Sequence, residues 1–312
     1  MILPDSRNQF SSYRNRGKGR KRLILIIVSV VLVAAVIWQW DNISGRFSRK
    51  EDPLVALEDL WEQQRYEEIN LQCDAVLAGE PLNVRALIYG GFSYFYRGVN
   101  QFSFEDKIAF FDLSIAHLRK ARLLDIGELA GRLYYVLGKA YYYKGKFYAD
   151  LTIRYLTMAE ESGYIADDTY EYLGLAHSEL GRYEESAESF LKAVEQEPTD
   201  MRYLALAQAY FNQGLTDRSE EYLLRTLNKT SDPAVETKTR FLLGKIYLES
   251  DQLTKAEDQY RRVLESNPIS ADAYYFLGEI FLRYDKITEA RYNWRQAYNI
   301  DPSHYGARLR LF

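Results

Sequence analysis

The sequence predicts an all-α fold, a solenoid of stacked helix-turn-helix units that follows one apolar N-terminal segment. Two observations support this prediction. A leucine–small residue–ring motif occurs five times in the 312 residues, at intervals near 34 residues, and this period is typical of paired-helix repeats. An uncharged run of eighteen residues precedes all five copies. Because stacked helical pairs build extended surfaces, the repeats favour a binding protein over an enzyme.

The motif keeps its spacing in every copy. The copies occupy residues 137–141, 173–177, 206–210, 243–247 and 277–281. Three units also end on a proline in the same position, at Pro198, Pro268 and Pro302. Proline ends a helix because it lacks an N–H and disfavours helical geometry before it. The prolines therefore mark the ends of the second helices.

The last complete unit shows what each position does. Leu277, Gly278 and Phe281 recur at helical spacing and form one stripe on a first helix. A mid-helix glycine costs roughly 1 kcal/mol relative to alanine, so Gly278 predicts the close approach of another helix. Trp294 is the bulky residue of the matching second helix.

These spacings resemble the tetratricopeptide repeat (TPR) family. Two units match the family pattern best, at Tyr170, Leu173, Gly174, His177, Phe190, Ala193 and Pro198, and at Leu243, Gly244, Tyr247, Ala256, Tyr260 and Pro268. The resemblance implies a right-handed α-solenoid of about seven units, near 50–83, 84–126, 131–166, 167–199, 200–233, 237–270 and 271–304.

Two units depart from the family pattern. The second has Gly90 and Gly91 where one glycine is expected. The third has Asp150 and Arg154 at second-helix positions that usually hold alanine and an aromatic residue. We therefore expect the second helix of the third unit to be shifted or irregular.

Residues 23–40 predict one transmembrane helix. Eighteen uncharged residues span about 27 Å as a helix, which is just enough for a hydrocarbon core. Trp38 and Trp40 suit the headgroup region at its far end. The alternative is a cleaved signal peptide. The length of the apolar run and the two tryptophans near the expected cleavage site argue against it.

Basic residues predict the orientation of this helix. Seven precede it within residues 1–22, whereas only Arg46, Arg49 and Lys50 follow it closely. The positive-inside rule then places a basic, disordered tail (1–22) in the cytoplasm. A linker (41–52) and the solenoid (53–312) would lie outside, on the periplasmic side if the source is a bacterium. The chain is thus predicted to be a single-pass protein of the cell membrane.

The charge of the solenoid argues against nucleic acid as its partner. Residues 41–312 carry a net charge of −10, because the basic tail holds +6 of a whole-chain charge of −4. Phosphate binding needs a basic surface. The tail itself reads as a topology signal, with contact to anionic lipid or nucleic acid as the alternative.

The sequence contains no recognisable catalytic, cofactor or metal motif. Its three histidines, His117, His177 and His304, are scattered, and Cys73 is the single cysteine. Phosphate-binding loops, dinucleotide fingerprints and nucleophile elbows are missing from the sequence. We expect no enzyme activity, no cofactor and no metal.

The family resemblance implies a partner-binding groove lined by first-helix residues at the second, fifth, ninth, twelfth and thirteenth positions of each unit. The predicted residues are Arg85, Phe92, Phe95, Tyr96, Arg132, Tyr135, Lys139, Tyr142, Tyr143, Gln208, Phe211, Asn212, Lys238, Phe241 and Lys245. Aromatic rings beside long cations suit an extended peptide or an amphipathic helix. In the third unit, Arg132 and Lys139 would meet acidic residues of the partner. The alternative is that some of these rings pack against neighbouring repeats.

Three functions fit these features. The first is a membrane-anchored scaffold or adaptor that binds a protein or peptide at the cell envelope during assembly, secretion or division. Membrane-bound or translocating proteins would then be its partners. The second is a chaperone-like holder of newly translocated chains, which would bind many unrelated unfolded peptides. The third is a regulatory membrane protein whose repeats face the cytoplasm.

The predicted orientation can be tested with a reporter. Alkaline phosphatase fused after residue 312 should be active in a bacterial host, because it folds only after export. The expectation follows from the excess of basic residues before residues 23–40. An intact but inactive fusion would place the repeats in the cytoplasm.

Overall fold

Every regular element in the described part of the chain is helical, which confirms the predicted all-α class. The computed structural model describes Leu54, residues 56–312 and the isolated Gln39. Fifteen α-helices and no strand lie within these residues. The predicted tail (1–22), transmembrane segment (23–40) and linker (41–52) lie outside them, apart from Gln39. None of the helices described is long and apolar enough to cross a membrane.

The helices follow one another with short connections. They are α1 (Leu57–Glu62), α2 (Tyr66–Gly79), α3 (Val84–Val99), α4 (Phe104–Ala121), α5 (Ala130–Tyr143), α6 (Ala149–Glu161), α7 (Thr169–Glu179), α8 (Tyr183–Gln196), α9 (Asp200–Gln213), α10 (Thr216–Lys229), α11 (Pro233–Glu249), α12 (Leu253–Ser266), α13 (Ala271–Arg283), α14 (Ile287–Ile300) and α15 (Tyr305–Leu311). Short 3₁₀ turns precede α5 and α6, at Gly127–Leu129 and Lys146–Tyr148.

The helices pack as consecutive pairs. The chain divides into two compact units, Met1–Glu58 and Asp59–Phe312, and the second unit contains α2 to α15. Within it α3 packs on α4, α5 on α6, and so on to α13 on α14, with α15 against α14. The first helices of neighbouring pairs also touch, α3 with α5, α5 with α7 and α9 with α11. Such contacts bring the first helices of successive repeats onto one face.

One contact recurs in the pairs, between a small residue on the first helix and a bulky residue on the second. A Cβ atom built on Gly174 would lie 2.8 Å from the Phe190 ring, and one on Gly244 would lie 2.7 Å from the Tyr260 ring. Gly278 faces Trp294 in the same way. Real Cβ atoms do not approach rings this closely, so glycine is required where the partner is aromatic.

The fifth unit makes the same contact with a different pair of residues. Its small residue is Ala207 and its bulky residue is the fully buried Leu223. The Ser219 hydroxyl donates to the carbonyl of Ala207 at 2.8 Å, as the Ser186 hydroxyl donates to that of Gly174 at 2.8 Å. The register is therefore the same in both units, and it places Leu223 opposite Ala207 as it places Phe190 opposite Gly174.

Packing explains the double glycine of the second unit. A Cβ on Gly90 would lie 3.3 Å from Cys73 of the preceding pair, whereas one on Gly91 would lie 2.5 Å from Leu118 of α4. Each glycine therefore permits the close approach of a different neighbouring helix.

The third unit is shifted, as its sequence predicts. Gly138 faces Leu156, and a Cβ on this glycine would lie 2.7 Å from Leu156 Cγ. Leu156 follows its glycine by eighteen residues, whereas Phe190 follows Gly174 by sixteen. The two extra residues are taken up by the 3₁₀ turn before α6.

We predict that Gly244→Ala destabilises the sixth unit and that adding Tyr260→Leu relieves part of this effect. Overpacking costs roughly 1–3 kcal/mol, which exceeds the gain of about 1 kcal/mol from alanine in a helix. The Ala–Leu pair already occurs at Ala207 and Leu223. Thermal unfolding followed by circular dichroism should show the double variant to be more stable than the sum of the single effects.

The matched control is Gly79→Ala at the end of α2, where nothing lies within 4 Å of the added Cβ. This control should be neutral or stabilising. Strict additivity of the two changes in the sixth unit would contradict the proposed contact.

Candidate partner-binding groove

A groove of about 560 Å³ lies on the face shared by α9, α11 and α13. Its lining residues are Met201, Leu204, Ala205, Gln208, Phe211, Asn212, Lys238, Phe241, Leu242, Lys245 and Phe276. They include all six residues that the sequence predicts for the groove in the fifth and sixth units. The structure therefore brings these six side chains together around one cavity.

The α11 side of the groove follows from helical spacing. Lys238, Phe241 and Lys245 are separated by three and four residues, which places them on one face. On the opposite face, Leu243 is fully buried in the core. The Asp232 side chain caps the helix by accepting from the Ala234 N–H at 2.7 Å. Buried and capped positions thus fix the direction in which the groove residues point.

Aromatic rings form the apolar part of the groove. Phe211, Phe241 and Phe276 are half-buried. The fully buried Tyr260 ring stacks on Phe276 with 5.0 Å between ring centres and lies 5.8 Å from Phe241. Tyr260 therefore supports two of the three groove rings from within the core.

The polar part of the groove is basic. None of its eleven lining residues is acidic, and both Lys238 and Lys245 are exposed. The Lys245 ammonium lies 4.8 Å from the centre of the Phe211 ring, within the range of a cation–π interaction. The Gln208 amide donates to Asn212 Oδ1 at 3.0 Å. The groove thus combines apolar rings, a pair of amides and two ammonium groups.

Three residues predicted for the second and third units lie in the core, which corrects their assignment to an accessible surface. Phe92 and Phe95 are each 2% exposed, and Tyr135 is 8% exposed. They belong to the core cluster that joins the second, third and fourth units. Neighbouring first helices approach closely enough for these rings to fill the space between them. This is the alternative that the sequence left open.

Lys139 already has an acidic partner within the chain. Its ammonium lies 2.7 Å from Asp168 Oδ2, and the Tyr135 hydroxyl donates to Asp168 Oδ1 at 2.6 Å. Burial, together with the bond to Asp168, raises the pKa of Tyr135 above its usual value. The expectation that Lys139 meets an acid of the partner needs correction, because Asp168 from the next unit takes that position.

The remaining predicted residues of these units are half-buried and engaged with neighbouring rings. The Arg132 guanidinium lies 5.0 Å from the Trp61 ring, and Tyr96 stacks on Tyr66 at 5.3 Å. Arg85 lies 5.9 Å from the Tyr89 ring. Tyr142 and Tyr143 line a separate cavity of about 250 Å³, together with Gly145, Lys146, Ala149, Thr152, Ala176 and Glu179. These residues therefore do not join the α9–α11–α13 groove.

No groove residue is predicted from the sequence in the seventh unit, yet Phe276 of that unit lines the groove. It lies on α13, the first helix of its pair. The family's groove positions, if carried over to the seventh unit, predict a residue next to Phe276. No sequence pattern predicts the contacts of Asp168 and Trp61. Their contacts connect different units, and repeat spacing does not predict such contacts.

Burial changes the protonation of two groups with possible chemistry, Cys73 and His177. Cys73 is fully buried, and burial raises the pKa of its thiol to about 12, so the thiol stays protonated at neutral pH. Burial lowers the pKa of His177, which favours the neutral imidazole. Among the residues described, no group of three or more metal-ligating side chains comes together.

The Lys139–Asp168 contact predicts a clear difference in stability between variants. Asp168→Ala should lower the free energy of unfolding by roughly 1–3 kcal/mol, because it leaves a mostly buried ammonium without its partner. Tyr135→Phe should also cost roughly 1–3 kcal/mol, since it removes two hydrogen bonds, one donated to Asp168 and one accepted from Lys139. Urea unfolding followed by circular dichroism measures both effects.

Glu221→Ala serves as the control, because the Glu221–Arg225 pair is about half exposed on both sides. It should change the free energy of unfolding by about 0.5 kcal/mol or less. Equal changes in the free energy of unfolding for Asp168→Ala and Glu221→Ala would show that the Lys139–Asp168 pair stabilises the fold no more than an exposed pair does.

Comparisons with known proteins agree with this architecture. Tetratricopeptide repeat models match residues 168–200 and 241–305. Among solved structures, the C-terminal part of a TPR repeat-containing protein from Cytophaga hutchinsonii is 14% identical, with a TM-score of 0.60, over 82% of this chain and 98% of that one. PilF from Pseudomonas aeruginosa is 16% identical, with a TM-score of 0.50, over 72% of this chain and 95% of that one.

A third match is to the crystal structure of the APC/C heterotetramer Cut9-Hcn1, at 17% identity and a TM-score of 0.50. It covers 91% of this chain but 52% of the other, so this chain spans about half of that length. At these identities the likeness concerns the fold alone. No curated protein matches the sequence significantly. The two repeat models show that residues 168–200 and 241–305 are tetratricopeptide repeats, and the recurrent helix pairs and the structural likeness support a protein of the tetratricopeptide repeat family.

Proposed function

We propose that this protein is a membrane-anchored scaffold or adaptor whose α9–α11–α13 groove binds a segment of a partner protein. The observation that carries the proposal is the groove itself, with three half-buried phenylalanine rings beside exposed amides and ammonium groups. Repeats of this family form protein-interaction scaffolds.

The composition of the groove suits a peptide segment. Apolar side chains of a partner can pack on Phe211, Phe241 and Phe276, where they lose contact with water. The exposed Gln208 and Asn212 amides can bond to the polar backbone of the same segment. A peptide therefore satisfies both kinds of lining group at once.

The burial of the upstream rings favours an adaptor over a chaperone-like holder. A holder needs a broad and adaptable apolar surface for many unfolded chains. Phe92, Phe95 and Tyr135 pack in the core and cannot supply one. The apolar groove surface lies instead between α9, α11 and α13, which suits one specific segment.

The membrane part of the proposal rests on the sequence. Residues 23–40 would anchor the chain, with the N-terminus in the cytoplasm and the repeats on the outer side. A linker of the predicted length (41–52) would reach only about 20 Å on average as a random coil. The groove would then stay near the membrane, where partners in envelope assembly, secretion or division are found. Repeats that face the cytoplasm would instead suit a regulatory role.

Site-specific cross-linking tests the groove. A photoactivatable residue placed at Gln208 or Asn212 should give a cross-linked adduct with a protein partner in cells. Phe241→Ala in the same chain should strongly reduce this adduct, because losing a buried aromatic anchor costs about 2 kcal/mol, or roughly thirtyfold in affinity.

Glu221 provides the control position, because it is exposed on α10 and does not line the groove. The cross-linker at Glu221 should give little or no adduct. An equally strong adduct there, or one that survives Phe241→Ala unchanged, would count against the groove.

A further inference from the structure

We propose that the groove selects an acidic partner segment, one with two carboxylates about 10 Å apart that flank a bulky apolar side chain. This inference rests on the proposed function of the same groove and adds the chemical class of the partner. It is based on the positions of the two groove lysines, Lys238 and Lys245.

The groove differs in charge from the rest of the protein. Residues 41–312 have a net charge of −10, yet the groove is lined by two lysines and no acid. Exposed charges farther away than about 8 Å are largely screened at physiological ionic strength. Because Lys238 and Lys245 are the charged residues that line the groove, they lie nearest to a bound segment, and they favour carboxylates.

Both lysines are free to meet such a partner. Neither forms an ion pair within the part of the chain that the structure describes. Glu249 lies four residues after Lys245, but the Lys245 ammonium lies over the Phe211 ring instead, at 4.8 Å. The ring holds the ammonium at the groove without neutralising it.

Two arginines near the groove are paired with acids of their own helices. Arg240 pairs with Glu236 at 2.7 Å, although its helix, α11, also carries the two groove lysines. On α12, Arg261 pairs with Glu257 at 2.7 Å. In each of these i, i+4 pairs a glutamate neutralises the arginine, whereas neither groove lysine is neutralised by an acid.

Helix geometry gives the spacing of the partner's carboxylates. Lys238 and Lys245 are seven residues apart on α11, which is about 10 Å along the helix axis. An extended segment covers this distance in about three residues, and a helical segment covers it in about seven. Phe241 and Leu242 lie between the two lysines, so the apolar side chain of the partner belongs between its two acids.

An unbiased peptide selection tests this inference. The full-length protein in detergent micelles serves as bait for a phage library of random peptides, and Phe241→Ala bait identifies the peptides that depend on the groove. These peptides should be enriched in Asp or Glu at a separation of three or seven residues, with Leu, Ile or Phe between them.

Charge reversal then tests the contact itself. Lys238→Glu with Lys245→Glu should weaken binding of a selected synthetic peptide at least tenfold, measured by fluorescence anisotropy. Changing the two peptide acids to lysine should restore binding to this variant. Lys120→Glu with Arg291→Glu alters the net charge equally at exposed positions outside the groove, and should leave binding nearly unchanged.

The outcomes separate the two proposals. Groove-dependent peptides without acids, or binding that is unaffected by reversal of both lysines, would overturn the acidic class and leave the groove as a peptide site. Absence of any peptide that distinguishes the protein from its Phe241→Ala variant would overturn both.

Discussion

The architecture depends on one contact that recurs from the second repeat onward, where the first helix approaches the second at a single small residue. Gly174 with Phe190, Gly244 with Tyr260 and Gly278 with Trp294 are versions of it, and Ala207 with Leu223 is a smaller version. The contact sets how closely paired helices pack and so sets their register. That register decides which first-helix residues face the next repeat and which face the groove.

Repeat spacing was therefore enough to predict much of the fold. The leucine–small residue–ring motif locates the close contact, and residues on the other side of the same helix follow from it. For this reason Phe241 and Lys245 were predicted at the groove, where the structure places them. The shift in the third unit was also visible, because Asp150 and Arg154 cannot take the buried positions.

The upstream surface could not be predicted in the same way. An aromatic residue at a groove position has the same spacing whether it faces solvent or a neighbouring repeat. Tyr135 is also amphipathic, so its hydroxyl can bond to Asp168 while its ring is buried. Whether such a ring is exposed or buried depends on contacts between units some thirty residues apart. A repeat pattern contains no information about these contacts.

Tyr260 has two structural roles at once. Its ring fills the space above Gly244 and also supports Phe276 and Phe241 from below the groove. Groove rings that are already held in place lose little side-chain freedom when a ligand arrives, and such preorganisation lowers the entropic cost of binding. Part of the affinity for the proposed partner would therefore be set by a buried residue that the partner never touches.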